Sequence, residues 1–272
     1  MSLVLLLCYC ALLTFRCADA DPYTPQTIEL DLVFPRNDTY TRSANFPIIM
    51  GLQNAQVAWP QGVLWDWKLE RLDEESLPLH GTFPPRSYYF DNQLYTRGEA
   101  PSDPFFHYHF PADLQDVLYG QWRYSWRFGF WQNCSFVGAY SRNNFRYQPH
   151  QEIIFSIGSS GRPLDLQDVM QQCPGVPVAL EITDSILNVL TGLENCPVVN
   201  ETAPTPNPCA LKLNQTIVDN ITATVEEMRG CKRGSLANLT DVCESAAPRV
   251  QLTGGPGLLA GLLGMVFFLF LY

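Results

Sequence analysis

Apolar and polar residues alternate along the first half of the chain. In the segment TIELDLVF the apolar positions are Ile28, Leu30, Leu32 and Phe34. Glu29 and Asp31 occupy the opposite face, which we expect to be solvated. Strict alternation is typical of an antiparallel strand with one buried face.

Two further segments show the same period. In VLWDWKLE the apolar positions are Val63, Trp65, Trp67 and Leu69, and the polar ones are Asp66, Lys68 and Glu70. In FFHYHF the aromatic positions Phe106, Tyr108 and Phe110 alternate with His107 and His109. We interpret these two histidines as members of a solvated strand face.

Clusters of Pro, Gly, Asn and Asp separate these runs, as in PRND (35–38) and PSDP (101–104). Together with FPIIMGLQ, SYYF, FVGAY and EIIFSIG, the pattern predicts about eight short strands, enough for a β-sandwich. The fold class expected is therefore mainly β with a smaller α part. The stretch DVLYGQWRY is similar to the segment that precedes a late strand in immunoglobulin-like sandwiches. This similarity favours Greek-key connections.

The densest aromatic stretch is GQWRYSWRFGFW (120–131). One face of this predicted strand carries Trp122, Tyr124, Trp126, Phe128 and Phe130. A sugar-binding platform needs its rings in water, and five exposed rings would form an apolar patch that soluble proteins rarely tolerate. We therefore assign these rings to the core. Trp131, on the polar face, is the candidate exposed aromatic.

After Pro163 the apolar residues recur three and four positions apart, which predicts amphipathic helices at 164–173, 179–196, 209–231 and 235–243. In the third helix the stripe is Leu213, Ile217, Ile221, Val225 and Met228. The Pro-rich segment 197–208 reads as a loop joining two antiparallel helices. Cys196 and Cys209 would then face each other, and they are the preferred disulfide pair.

Both ends of the chain resemble processing signals. An apolar run from Leu3 to Phe15, followed by Ala18-Asp19-Ala20, predicts a signal peptide cleaved before Asp21. A signal anchor is the alternative, but thirteen helical residues span only about 20 Å of an apolar layer about 30 Å thick.

The C-terminal segment has small residues at Ser245-Ala246-Ala247, a polar spacer over 248–256 and an apolar run over 257–272. This order predicts a glycosylphosphatidylinositol (GPI) anchor attached at Ser245, with a short membrane-spanning tail as the alternative. The expected organisation is a signal peptide at 1–20, a β-sandwich domain at 21–161, a helical, cysteine-containing glycosylated region at 162–245 and a removed propeptide at 246–272.

Six N-x-S/T sequons support an extracellular chain, where each acceptor must lie on the surface. They are Asn37, Asn133, Asn200, Asn214, Asn220 and Asn238. Three of the nine cysteines fall in the signal peptide. The other six predict three disulfides: Cys134, Cys173, Cys196, Cys209, Cys231 and Cys243. If all six are paired, Cys134 must bridge into the C-terminal region.

The residues show no recognisable chemistry of an enzyme or a cofactor site. His107 and His109 lack a third metal ligand at a recognisable spacing, and no cysteine spacing fits zinc. Asp66 and Glu70 lie about 13 Å apart along one strand, too far for a glycosidase pair, and Asp73-Glu74-Glu75 reads as a solvated turn. We therefore expect no catalytic residues, no cofactor and no metal. The net charge of −10 makes nucleic acid an improbable partner.

The stretch ELDLVFPRNDTY, followed by PIIMGLQN and LWDWKLE, resembles a family of secreted, often GPI-anchored fungal proteins of unknown function. These proteins share a β-rich N-terminal domain and a cysteine-bearing C-terminal part. The resemblance implies a fungal cell-surface or cell-wall location and brings no catalytic residues with it.

The expected function is that of a lipid-anchored surface glycoprotein with a binding or structural role. Its partners would be the plasma membrane, through the GPI lipid, and cell-wall glycans or surface proteins. The alternative is a lectin or a glycan-active enzyme that acts on wall polysaccharide.

Overall fold

The computed structural model describes residues 23–43, 45–74, 77–84, 96, 98–111, 119–130, 146–147, 150–188, 193–236 and 239. The predicted signal peptide, the anchor segment with Ser245, and the predicted strands at 87–90 and 136–140 lie outside these ranges. So do Trp131, Asn133, Cys134, Asn238 and Cys243.

Two β-sheets form a sandwich, so the prediction of a mainly β sandwich with a smaller helical part is confirmed. Sheet A has five strands in the spatial order β11 (Leu193–Val199), β10 (Gly175–Asn188), β1 (Gln26–Phe34), β3 (Ile48–Gln53) and β6 (Phe105–His109). Its neighbouring strands are all antiparallel.

Sheet B follows the order β2 (Thr39–Tyr40), β9 (Gln151–Ile157), β7 (Gly120–Phe130), β4 (Val63–Arg71) and β5 (Leu79–Phe83), and β8 (Arg146–Tyr147) also pairs with β7. β2 runs parallel to β9, whereas the other pairings in this sheet are antiparallel. The aromatic stripe of β7 lies in the core as expected. Its five buried members are Trp122, Tyr124, Trp126, Phe128 and Phe130.

Short helices and one longer helix complete the fold. They are α1 (Ala55–Ala58) with the 3₁₀ turn Trp59–Gln61, α2 (Leu166–Met170), the 3₁₀ turn Pro208–Ala210, and α3 (Gln215–Arg229). Asn214 caps α3 by accepting a hydrogen bond from the Ile217 amide, and Gly230 ends it in the left-handed conformation. None of the described helices is long and apolar enough to cross a bilayer.

The predicted stripe of α3 is rotated slightly in the structure. Ile221 and Val225 are buried as expected, and Val218 joins them. Met228 is 46 % exposed. Because 3.6 residues make one turn, a stripe that continues from Val218 through Ile221 and Val225 leaves Met228 at its margin.

Sheet A is covered on both faces. On its outer face, the Tyr108 hydroxyl of β6 lies 3.4 Å from the Thr224 hydroxyl of α3. Gly51 of β3 lies under Leu211, so closely that a Cβ at Gly51 would be 2.2 Å from the Leu211 Cδ2. The expectation that Glu29 and Asp31 are solvated is therefore wrong: this face of β1 is buried beneath a third layer.

The predicted helix at 179–196 is also wrong. β10 and β11 pair as antiparallel strands, and β10 pairs with β1 across the predicted domain boundary at 161. Within β10, the apolar residues Val178, Leu180 and Ile182 alternate with period two, and all three face the core. The free edge of β1 needs hydrogen-bond partners in this covered layer, and β10 supplies them. Residues 197–199 belong to β11. The predicted loop at 197–208 therefore does not join two helices.

The disulfide pairing differs from the preferred one as well. Cys173 is bonded to Cys209, 36 positions further along the sequence. Cys196, the partner that was predicted for Cys209, is disulfide-bonded too, as is Cys231. The predicted Cys196–Cys209 bridge depended on two antiparallel helices, and Cys196 instead lies on a strand of sheet A.

Candidate functional site

The outer face of sheet B carries opposite charges on neighbouring strands. The antiparallel register places Asp66 of β4 opposite Arg127 of β7, and Glu70 opposite Arg123. Arg127 donates from Nε to Asp66 Oδ1 at 3.0 Å and from Nη2 to Oδ2 at 2.6 Å. This bidentate contact fixes the orientation of the guanidinium relative to the Asp66 carboxylate.

A second group of charges crosses three strands of the same face. Glu70 lies 2.5 Å from Lys68 Nζ and accepts a hydrogen bond from Arg123 Nη1 at 3.2 Å. Arg123 Nε also lies 3.5 Å from Glu152 Oε2 on β9. The hydrogen bond from Lys68, together with the charges of Lys68 and Arg123, lowers the pKa of Glu70.

We call these six side chains the charge ladder: Asp66, Lys68, Glu70, Arg123, Arg127 and Glu152. It contains three cations and three anions, so it carries no net charge. All six are at least partly exposed. An array of paired donors and acceptors with no net charge suits a neutral, hydroxyl-rich ligand better than a highly charged one.

His107 and His109 lie on the inner face of β6, so the interpretation of a solvated pair is wrong. The His107 ring lies 5.7 Å from the Trp65 ring and 4.7 Å from the Phe83 ring. The His109 ring is nearly parallel to that of Trp67 at 4.5 Å. Strand alternation cannot tell which face is inside when both faces are covered, and here α3 covers the face of Phe106 and Tyr108.

The two imidazoles are neutral at ordinary pH. Burial lowers the pKa of His107 to about 4. Burial, and then the neighbouring His107, lower the pKa of His109 to about 3. Neither ring nitrogen of His109 has a hydrogen-bond partner within the described part of the chain. Neutral imidazoles can bind metals, but no group of three or more His, Cys, Asp or Glu side chains in the described ranges could hold an ion.

The carboxylates singled out in the sequence do not form a catalytic pair. Asp66 and Glu70 each bind a cation of the charge ladder, and Asp73 is an ion-pair partner of Arg71 at 2.7 Å. The hydrogen bond from Arg71 lowers the pKa of Asp73. Glu74 also pairs with Arg71, and Glu75 lies outside the described residues.

Two buried carboxyl features were not predicted from the sequence. One is the pair Glu29 and Asp31, and the other is Glu226 of α3. Glu226 accepts hydrogen bonds from the amides of Gly234 at 2.8 Å and Leu236 at 3.0 Å. Burial alone would raise the pKa of Glu226, but the amide donors of residues 234–236 and the charge of Arg233 hold it below its usual value. No local signal marks these residues, since their hydrogen-bond donors come from later parts of the chain.

Residues 23–240 match the model of a family described as "Domain of unknown function (DUF7136)". The chain belongs to the DUF7136 family. No curated protein and no solved structure matches it. The match spans both sheets and α3, in agreement with strand pairing that joins the two halves of the chain.

Proposed function

We propose that this DUF7136 chain is a secreted, GPI-anchored fungal surface glycoprotein with a binding or structural role. The observation that carries the proposal is the position of the sequons. Asn37, Asn214 and Asn220 are exposed, and Asn200 is half-buried. A glycan at any of the three exposed asparagines would extend into solvent.

The hydrogen bonds at two of these asparagines are compatible with a glycan. Asn214 uses its Oδ1 to cap α3, at 3.0 Å from the Ile217 nitrogen, which leaves its Nδ2 for the sugar. Asn200 donates from Nδ2 to Glu181 Oε2 at 2.6 Å. A glycosylated asparagine keeps one N–H on Nδ2, so this contact can persist after modification.

The proposed location rests on the sequence of the two ends and on the disulfides. The Cys173–Cys209 bond, with Cys196 and Cys231 also oxidised, is typical of an oxidising compartment. The small residues at 245–247 and the apolar run after them support a lipid anchor, with the plasma membrane as the first partner. The fungal origin rests on the resemblance alone.

Mass spectrometry of the native protein tests this proposal. We expect an N-terminus at Asp21, a C-terminal glycolipid on Ser245 and glycans at Asn37, Asn214 and Asn220. A phosphatidylinositol-specific phospholipase should release the protein from cells. Recovery of an intact Met1 or Tyr272 with unmodified asparagines would refute the proposal.

A second candidate function, glycan binding, is favoured by the charge ladder. This face presents preorganised donors and acceptors, and no described residue of the outer face of sheet B is a sequon asparagine. The protein's own glycans at the described sites would therefore leave the ladder accessible. A neutral cell-wall polysaccharide would match the zero net charge of the ladder.

A glycan array tests this second candidate with matched variants. Selective binding by the wild type should be lost in Arg127→Ala and retained in Lys212→Ala, which removes an exposed cation far along the chain from the ladder. Equal binding by both variants would exclude the ladder as the site. Absence of binding by the wild type would exclude glycan binding and leave the structural role as the proposed function.

A further inference from the structure

Glu29 and Asp31 are neighbouring acidic side chains inside the protein. They point from the outer face of β1 toward residues 200–213, which we call the covering segment. Asp31 has no exposed surface, and Glu29 is 3 % exposed. An ionised carboxylate is costly to bury without a cation or several hydrogen-bond donors.

Each carboxyl has one donor among the described residues. Gln53 Nε2 of β3 donates to Asp31 Oδ2 at 2.8 Å. The amide of Asn207, in the covering segment, donates to Glu29 Oε2 at 2.7 Å. The remaining oxygens, Glu29 Oε1 and Asp31 Oδ1, are buried without another described donor. The two side chains lie two residues apart on the same face of β1. Burial, and then a hydrogen bond with Glu29, raise the pKa of Asp31, and such a bond requires a proton on one of the two carboxyl groups.

The elements packed around the pair supply no described cation. β10 presents Ala179 opposite Glu29, and its Glu181 binds Asn200 instead. β3 presents Gly51 and Gln53. In the covering segment Leu211 packs on Gly51, while the next residue, Lys212, is exposed. The surroundings therefore favour a pair that holds one proton and one negative charge.

We propose that Glu29 and Asp31 share a proton and form a pH-dependent latch, which holds the covering segment on sheet A in acidic surroundings and weakens as the pH rises. Loss of the proton leaves two anions side by side in a buried site. The covering segment is the element that can move, because it supplies the Asn207 amide and carries no regular structure beyond one 3₁₀ turn. The Cys173–Cys209 bond keeps it tethered when it opens.

The direction of the effect follows from the proton balance. Burial, and then the contact with Glu29, raise the pKa of Asp31 to about 8. In the open form Asp31 would return to about 4, the value of a solvated aspartate. The closed form therefore retains a proton that the open form releases between these values. The ratio of open to closed molecules should rise up to about tenfold per pH unit in this window, and level off above about pH 8.

Hydrogen exchange of the intact glycoprotein between pH 5 and pH 9 tests the latch. After correction for the intrinsic pH dependence of exchange, amides of the covering segment should lose protection as the pH rises. In Asp31→Asn, the amide can donate to Glu29 at every pH, so the protection should become independent of pH. The control Asp66→Asn, which alters an exposed ion pair, should behave as the wild type.

If Asp31→Asn does not fold, infrared spectroscopy of the wild type and of Glu29→Gln tests the latch. The wild type at pH 6 should show the C=O band of a buried protonated carboxylic acid, and Glu29→Gln should alter that band. Absence of the band, or covering-segment protection in the wild type that does not change with pH, would overturn the latch.

Discussion

The indole of Trp67 and the imidazole of His109 stack at 4.5 Å with an angle of 24° between their planes. Trp67 belongs to β4 and His109 to β6, so the contact joins sheet B to sheet A. On β5, Gly81 lies directly against the same indole: a Cβ at this position would be 2.2 Å from Trp67 Cε2. The Trp67 indole is therefore confined between the His109 ring and Gly81.

Substitution of Gly81 by alanine should destabilise the protein. The added methyl group must displace the indole and disturb its stacking on His109, and overpacking of this kind costs about 1–3 kcal/mol. Urea unfolding measures the change. Gly158→Ala is the control, because its Cβ would meet only the Thr39 methyl group at 3.6 Å. Equal stabilities of the two variants would contradict the confinement of Trp67.

Neighbouring residues on β7 should differ sharply in their contribution to stability. Trp126 has no exposed surface, so Trp126→Ala should lower the free energy of unfolding by about 3–5 kcal/mol. Arg127→Ala removes an exposed ion pair and should cost about 0–1 kcal/mol. Denaturant titration of the two variants checks this contrast. A large loss in Arg127→Ala would show that the charge ladder stabilises the sheet.

The stability of the protein should pass through a maximum near pH 6.5. Below this pH the unfolded chain protonates His107 and His109, whereas the folded chain, with pKa values of about 4 and 3, does not. Each histidine makes stability fall with falling pH by up to about 1.4 kcal/mol per unit. The Asp31 proton, which only the folded chain holds in this range, offsets one of the two contributions. Between about pH 6.5 and 8, retention of the Asp31 proton makes stability fall as the pH rises.

Single substitutions should separate the two limbs of this profile. His109→Phe should flatten the acidic limb, and Asp31→Asn should flatten the alkaline limb. Thermal unfolding across the pH range gives both slopes. A stability that rises steadily up to pH 8 in the wild type would contradict the retained proton on Asp31.

Glu226 and Glu227 are adjacent on α3 and should respond differently to the same change. Glu226→Gln replaces an acceptor of two amide hydrogen bonds with a side chain that has one acceptor oxygen, and it should cost about 1–3 kcal/mol. Glu227 is exposed, and Glu227→Gln should change stability by less than about 0.5 kcal/mol. Urea unfolding compares them. Similar effects would mean that the amides of Gly234 and Leu236 find other acceptors.

Much of the fold could be predicted from local patterns. The period-two runs around Leu30, Trp65 and Trp126 predict strands, and burial of these residues agrees with that prediction. The polar face of β4 and β7 was also predictable, since Asp66 and Arg127 alternate with apolar neighbours. That they pair with each other depends on the strand register, which no local pattern contains.

The main errors share one physical cause. Alternation around Glu29 and around His107 shows that two faces differ, but it does not show which one meets solvent. Sheet A lies between sheet B and the layer of α3, so both of its faces are buried. The segment 179–196 was predicted to be helical for a related reason: the spacing of its apolar residues fits both a helix and a strand, and pairing of β10 with β1 selects the strand.

The amino-acid sequence by itself determined the elements whose period is unambiguous, namely β4, β7 and β9 of sheet B and helix α3, because neighbour spacing along the chain sets the faces of such elements. It also contains the sequons and the terminal segments on which the proposed location depends. Only the tertiary structure decided that Glu29 and Asp31 meet in a buried site and that His109 lies on Trp67. Burial and pairing of this kind arise from residues distant in sequence, and their energies exist only once the layers have packed.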